Sequence, residues 1–242
     1  QGIAELYRAQ VGYPIGYFWG YKTAGVFQNQ QEIDEWIAAG KPTMSANPVP
    51  GDLKFVDYNG DKTLSDDDKT MIGDPKPDWT MGINIGFEFF GADISATGYG
   101  AFGHQIWRTY RRYGDSQYNN YTTEVFNYWH GEGTSNKYPR LVPGTNYNYM
   151  NNSDLFIENA DYFRIQNITV GYDFSWLTKK KTSAIQKLRF YVQLQNFFTF
   201  TGYKGMDPEI GTSTTSDSWA RGIDLGFYPT PKTIIFGLNL AF

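Results

Sequence analysis

The sequence predicts an all-β chain, an antiparallel transmembrane β-barrel segment with long connections on one side. Three observations carry that expectation. Apolar residues recur at every second position through several segments, the period of a strand with one greasy face. Nineteen Tyr, 18 Phe and 7 Trp stand beside 26 Gly while charged residues make up 19% of the 242 positions, a composition that favours strands and turns over helices. Long and short connections alternate along the chain, as they do where strands cross a bilayer with short turns on one side.

The strands follow in order. Trp79, Met81, Ile83, Ile85, Phe87 and Phe89 share one face, with Thr80, Gly82, Asn84, Gly86 and Glu88 opposite. That length suits a spanning strand of about 9–11 residues. A turn near Phe90 and Gly91 returns the chain through Ala92, Ile94, Ala96 and Gly98, backed by Asp93, Ser95, Thr97 and Tyr99. Ile168, Val170, Tyr172 and Phe174 mark a third strand, and Leu188, Phe190, Val192 and Leu194 a fourth, alternating with Arg189, Tyr191, Gln193 and Gln195. The last is set by Ile234, Phe236, Leu238, Leu240 and Phe242.

Between them the chain runs irregularly from Gly20 to Asp78, from about Gln105 to Ala160, and again before Pro231, with short turns near Gly91 and over Ser175–Gln186. Counting back from a periplasmic C-terminus places every long connection outside the cell. A soluble β-sandwich also alternates. The long strands, the aromatics at strand ends and the one-sided connection lengths favour the barrel.

Mean hydropathy is -0.51, and no run reaches the roughly 18 apolar residues of a spanning helix. A helical membrane protein is excluded. A net charge of -4 with scattered basic residues argues against nucleic-acid binding. The absence of cysteine removes disulfides and thiolate metal sites. No signal peptide is present, and the chain opens on Gln1 in mid-pattern, so it reads as one segment, 1–242, of a longer barrel.

Several strings are similar to the C-terminal third of the SusC-like (RagA-like) TonB-dependent transporters. They are Tyr162-Phe-Arg-Ile-Gln-Asn-Ile-Thr-Val-Gly-Tyr172, the run Gln195 to Glu209 that ends in Met-Asp-Pro-Glu, Ile72-Gly-Asp-Pro-Lys-Pro-Asp78, Tyr138-Pro-Arg-Leu141 and the ending Tyr228-Pro-Thr-Pro-Lys to Phe242. The resemblance covers nearly the whole chain. It implies a plugged barrel of the 22-stranded class in the bacterial outer membrane. It also implies a SusD-like surface lipoprotein as lid, energy from the TonB complex through an N-terminal region outside this sequence, and an oligosaccharide or oligopeptide cargo.

The most specific chemical motif is Asp57-Tyr-Asn-Gly-Asp-Lys-Thr-Leu-Ser-Asp-Asp-Asp68, which resembles an EF-hand-type calcium loop. Asp57, Asn59 and Asp61 fall at positions 1, 3 and 5, Thr63 offers its carbonyl at 7, Ser65 can hold a water at 9, and Asp68 stands at 12. Hard oxygen donors at that spacing suit Ca2+. Lys62 occupies the position where glycine normally makes the sharp turn, and Asp replaces the usual Glu at 12. The competing reading is an acidic surface turn in which Ser65 caps a short helix and Asp68 completes the capping pattern. Bound calcium would stiffen an extracellular loop.

Gly98-Tyr-Gly-Ala-Phe-Gly103 matches the dinucleotide fingerprint letter for letter, but no helix follows to receive a pyrophosphate. Its glycines read as a strand passing close to its neighbours. His104 and His130 lack a zinc spacing, no Gly-x-Ser-x-Gly elbow is present, and no enzymatic constellation emerges. Aromatics in the outer connections, among them Tyr110, Tyr128, Trp129 and Trp219, are candidates to stack on cargo or to meet the lid. Asn84, Glu88, Gln193 and Gln195 are expected to face the lumen.

The sequence therefore points to part of an importer taking up oligosaccharides, with oligopeptide cargo as the alternative. A secreted soluble glycan-binding β-domain, or a passive porin, are the rivals from other classes.

Overall fold

The hairpin foreseen around Phe90 and Gly91 sets the geometry of the long strands. Both residues take positive φ, 46° and 83°, the turn whose twist matches the flanking strands. Trp79–Phe89 and Ala92–Phe102 zip up from it without a register shift, from Phe89↔Ala92 to Trp79↔Phe102.

The computed structural model describes residues 3–108, 121–142, 146–178, 185–209 and 221–242. In chain order the strands are β1 (Tyr7–Arg8), β2 (Tyr17–Gly20), β3 (Thr23–Val26), β4 (Leu53–Phe55), β5 (Thr70–Gly73), β6 (Trp79–Phe89), β7 (Ala92–Phe102), β8 (Gln105–Arg108), β9 (Ile157–Asn159), β10 (Tyr162–Asp173), β11 (Lys187–Thr201), β12 (Ile223–Asp224) and β13 (Thr233–Ala241). The longest helix among the described residues is α1 (Gln30–Ala38). The chain divides into two compact units: Gln1–Lys76 with Gln105–Asn159 and Ile210–Gly226, and Pro77–His104 with Ala160–Glu209 and Phe227–Phe242.

The second unit is one antiparallel sheet in the order β13-β11-β10-β7-β6. Its registers align the alternating residues into rows that run across all five strands. One row is Ile85, Ala96, Ile168, Leu194 and Ile234; the next is Phe87, Ile94, Val170, Val192 and Phe236; the third is Phe89, Ala92, Tyr172, Phe190 and Leu238. The opposite face carries Asn84, Thr97, Asn167, Gln195 and Thr233 in one row, and Gly86, Ser95, Thr169, Gln193 and Ile235 in the next.

A register shift between Ile165 and Asn167 on β10, opposite Asn196 at φ 56° on β11, keeps that pattern continuous. In the sequence the apolar residues change phase there, from Phe163 and Ile165 to Ile168 and Val170. The bulge absorbs the extra residue and holds all of them on one face.

The first unit is built the other way. Short pieces of sheet, β1-β2-β5, β12-β8-β9 and β3-β4, surround a core that includes Phe18, Val26, Leu53, Phe55, Trp107, Phe156 and Ile223. Phe18 and Ile223 are 0% exposed. Each such side chain contributes roughly 1.5–3 kcal/mol by leaving water. The segment from Gly20 to Asp78, expected as irregular chain, thus holds β3, α1, β4 and β5. The start of α1 is set by Asn29, whose side chain accepts the Glu32 amide, and by Ile33, the buried residue of its inner face.

Candidate functional site

The polar face of the long sheet collects the chain's chemistry. Asn84, Glu88, Gln193 and Gln195 all lie on it, as the alternation required, and the Thr97 hydroxyl reaches Asn84 Oδ1 at 3.5 Å. Near the Phe90–Gly91 turn, Arg189 of β11 reaches across β10 to Asp93 of β7. Its Nε donates to Asp93 Oδ1 at 2.7 Å and Nη2 to Oδ2. Gly171 is what lets the pair meet: a Cβ there would sit 2.4 Å from Arg189 Nη2 and 2.5 Å from Asp93 Oδ1.

An open polar cavity of about 550 Å³ lies beside this pair, lined by Glu88, Asp93, Asp173, Lys187, Arg189 and Asn239 among others. Mixed charge at such a density suits a hydrated passage or a polar polypeptide surface, not hydrocarbon.

At the other end of the same face Arg164 is 4% exposed. It donates to Thr199, Asp207, Glu209 and Thr230. Asp207 is itself buried, which alone would raise its carboxyl. The amides of Thr230 and Glu209 and the Arg164 guanidinium outweigh that and hold it below the usual range. The strings around residues 162–172, 195–209 and 228–242 thus meet in one network. Sequence reading missed it because strand alternation places Arg164 on a face without naming its partners. The signal was an arginine inside a strand and a Met-Asp-Pro-Glu turn far along the chain.

The acidic loop is folded as a series of side-chain-to-amide turns. Asp57 accepts the amides of Gly60 (2.6 Å) and Lys62 (2.9 Å), and Asn59 accepts that of Asp61 at 2.8 Å. Asp61 accepts both the amide and the hydroxyl of Thr63, which hold its carboxyl low, the hydroxyl foremost. Lys62 supplies the sharp turn at φ 67° in place of glycine. Asp68 is 0% exposed and accepts the amides of Tyr58 and Ser65. It also completes a capping box with Ser65 on a single 3-10 turn, Asp66–Asp68, the local structure foreseen as the competing reading. The donors are hard oxygens and fit Ca2+ in chemistry. Here the side-chain oxygens of Asp57, Asn59 and Asp61 accept amides of the loop itself, and among the described residues no group of three or more His, Cys, Asp or Glu is placed to hold a metal ion.

Of the stacking candidates, Tyr110 and Trp219 lie outside the described residues. Tyr128 is corrected to a core residue: it is 3% exposed and stacks on Tyr138 with ring centroids 5.5 Å apart, so packing occupies its faces. Trp129 is half-buried and packed against the same core. The Gly98 to Gly103 string lies largely on β7, where the Phe163 ring crosses Gly98 and Gly100, the close strand approach expected of it. His104 is buried, and desolvation lowers its pKa despite Asp161 nearby.

Comparison with known proteins agrees with this geometry. No family model matches the chain. It is 31% identical over 235 residues, 96% of its length, to TonB-dependent receptor P3 of Formosa agariphila, and 30% identical over 223 residues, 92% of its length, to TonB-dependent receptor SusC of Bacteroides thetaiotaomicron. Among solved structures it resembles the RagAB peptide transporter, with a TM-score of 0.71 and 20% identity over 98% of the chain.

The strands match part of an outer-membrane β-barrel wall. The chain is SusC/RagA-like, a stretch of a TonB-dependent receptor of that type. It spans about a fifth to a quarter of the length of the relatives it matches: 22% of P3, 20% of SusC and 24% of the RagAB chain. That family is non-enzymatic, and its members are outer-membrane β-barrels.

Proposed function

We propose that these strands are the C-terminal wall of a closed, plugged barrel of the 22-stranded class that imports oligosaccharides across the outer membrane. The observation that carries the proposal is the set of three apolar rows spanning five strands, backed by a face of Asn, Thr, Gln and paired charge. One side suits lipid and the other an aqueous interior. The long connections would face outward, beneath a SusD-like lipoprotein lid, and TonB would act through the part of the receptor outside this sequence.

Cargo class is tested by purifying the full-length receptor with its lid protein and identifying bound ligand by mass spectrometry. Glycan is the expected outcome. The RagAB structures, described as those of a peptide importer, favour oligopeptide as the second reading, and a ladder of bound peptides would establish it. A full-length receptor monodisperse in buffer without detergent would instead support the soluble rival and end the importer reading.

Calcium at Asp57, Asn59, Asp61, Thr63 and Asp68 is a separate part of the proposal. Its support is the donor chemistry and the left-handed turn at Lys62. Binding would require Asp57 and Asp61 to exchange amide contacts for the ion. Titration calorimetry with Ca2+ and Mg2+ tests it: a Ca2+-selective isotherm abolished by Asp61→Asn is expected, and no heat at millimolar Ca2+ would leave the loop a capped turn.

A further inference from the structure

Import chemistry by itself gives no role to a buried guanidinium at the long-connection end of the sheet. Arg164 Nε donates to Thr199 Oγ1 of β11 at 3.0 Å. Nη1 donates to Glu209 Oε2 at 2.7 Å and to Thr230 Oγ1 at 3.2 Å, and Nη2 donates to Asp207 Oδ1 at 2.5 Å. Asp207 passes the connection on, its Oδ1 accepting the Glu209 amide and its Oδ2 the Thr230 amide, both at 2.9 Å.

These partners sit on the two stems of the last long connection. Asp207 and Glu209 belong to the stem that leaves β11, and Thr230 to the stem that enters β13. One residue of β10 therefore holds both stems. A guanidinium can do this because its five donors are fixed in a plane and fan out to several acceptors; an ammonium on a flexible stem serves fewer of them in a defined geometry. Arg164 and Asp207 are 4% and 9% exposed. Removing Arg164 would leave the buried Asp207 carboxylate with its two amide donors but without its counter-charge, the costly case for a buried ion pair.

We propose that Arg164 is the positioning residue of the two stems of the last long connection, residues 203–209 and 227–232, fastening both to β10 so that they hold one geometry relative to each other and to the end of the sheet. Only the consequence for transport rests on the importer reading: on that reading the connection would leave the barrel wall from preformed stems.

Amide hydrogen exchange on the full-length receptor in detergent tests the proposal without any cargo. In Arg164→Gln, exchange in 203–209 and 227–232 is expected to rise about 100-fold, the consequence of breaking a buried pair locally, while the amides of the β10–β11 ladder keep their protection. Arg164→Lys should restore part of that protection, and Asp207→Asn should loosen both stems together. Unchanged stems in Arg164→Gln would overturn the proposal. So would loss of ladder and stem protection together in all three variants, which would make Arg164 a residue of the fold alone. Failure of the importer reading would appear as absent uptake by a wild-type receptor whose stems behave as stated, so the two failures are separable.

Discussion

Phe55 and Phe87 are the same side chain in opposite circumstances. Phe55, in the unit of short sheets, is 1% exposed; Phe87, in the long sheet, is 70% exposed. The contrast holds across the two units. One buries Phe18, Trp107 and Ile223 in a shared core, while the other presents Phe87, Val170, Val192 and Phe236 in a row on a single open face. Nothing in the residue types separates the two. What differs is the packing: the first unit excludes water from its interior, and the second leaves its apolar face open, which on the importer reading is the face that lipid covers.

Mutation should separate the two units. Phe55→Ala in the full-length receptor should cost about 3–5 kcal/mol, because it leaves a cavity in a packed core, whereas Phe87→Ala should cost far less. Urea unfolding in lipid vesicles reads both, and equal losses would erase the distinction between the units. Val170→Arg should cost about 2–4 kcal/mol near the bilayer midplane, and Gln193→Arg on the opposite face should be nearly silent. A reversed order would mean that the two faces have been assigned the wrong way round.

Gly171→Val sharpens the account of the polar face. Its side chain would meet Arg189 and Asp93, and overpacking of that kind costs typically about 1–3 kcal/mol. The double variant Gly171→Val with Arg189→Ala should recover part of the loss; no recovery would show that the glycine serves something other than the bridge.

The smallest effect is a pH dependence at Asp207. Its folded pKa is depressed, so its contribution is present above the unfolded carboxylate range, about pH 4, and is lost as pH falls through the folded value. Glu209, His104 and Tyr162 are the neighbouring titratable groups. Protection of the Thr230 amide, corrected for intrinsic exchange, should fall in that acid window and not between pH 5 and 8. A transition above the carboxylate range but below the ordinary histidine value, about 6.5, would assign the effect to His104, whose pKa burial lowers.

The long strands were legible in the sequence because period-two alternation survives in them almost unbroken. Trp79–Phe89 ends where the alternation ends, and the turn at Phe90 and Gly91 falls where it was placed. The four lumen candidates share a face for the same reason. What stayed hidden was set by contacts distant in sequence. The core of the first unit draws Phe18, Trp107 and Ile223 from three separated stretches, so it read as irregular connection. Tyr128 looked like a surface aromatic because no local pattern tells a loop residue that packs from one that is exposed. Arg164 and Asp207 lie 43 positions apart, and Arg189 and Asp93 lie 96 apart, beyond the reach of any spacing argument.

The environment of alternate residues along one row shows directly whether the apolar face meets lipid. This stretch contains no cysteine, so once any cysteine elsewhere in the full-length receptor is replaced, single nitroxide labels can be placed at Phe87, Val170, Val192 and Phe236, and at Gly86, Thr169 and Gln193, in bilayers. The first set is expected to be accessible to oxygen and shielded from a water-soluble nickel chelate, and the second set to lack that lipid signature. If the two sets are alike, or if the first set is silent to both reagents as in a packed core, the sheet does not meet lipid and the account is wrong.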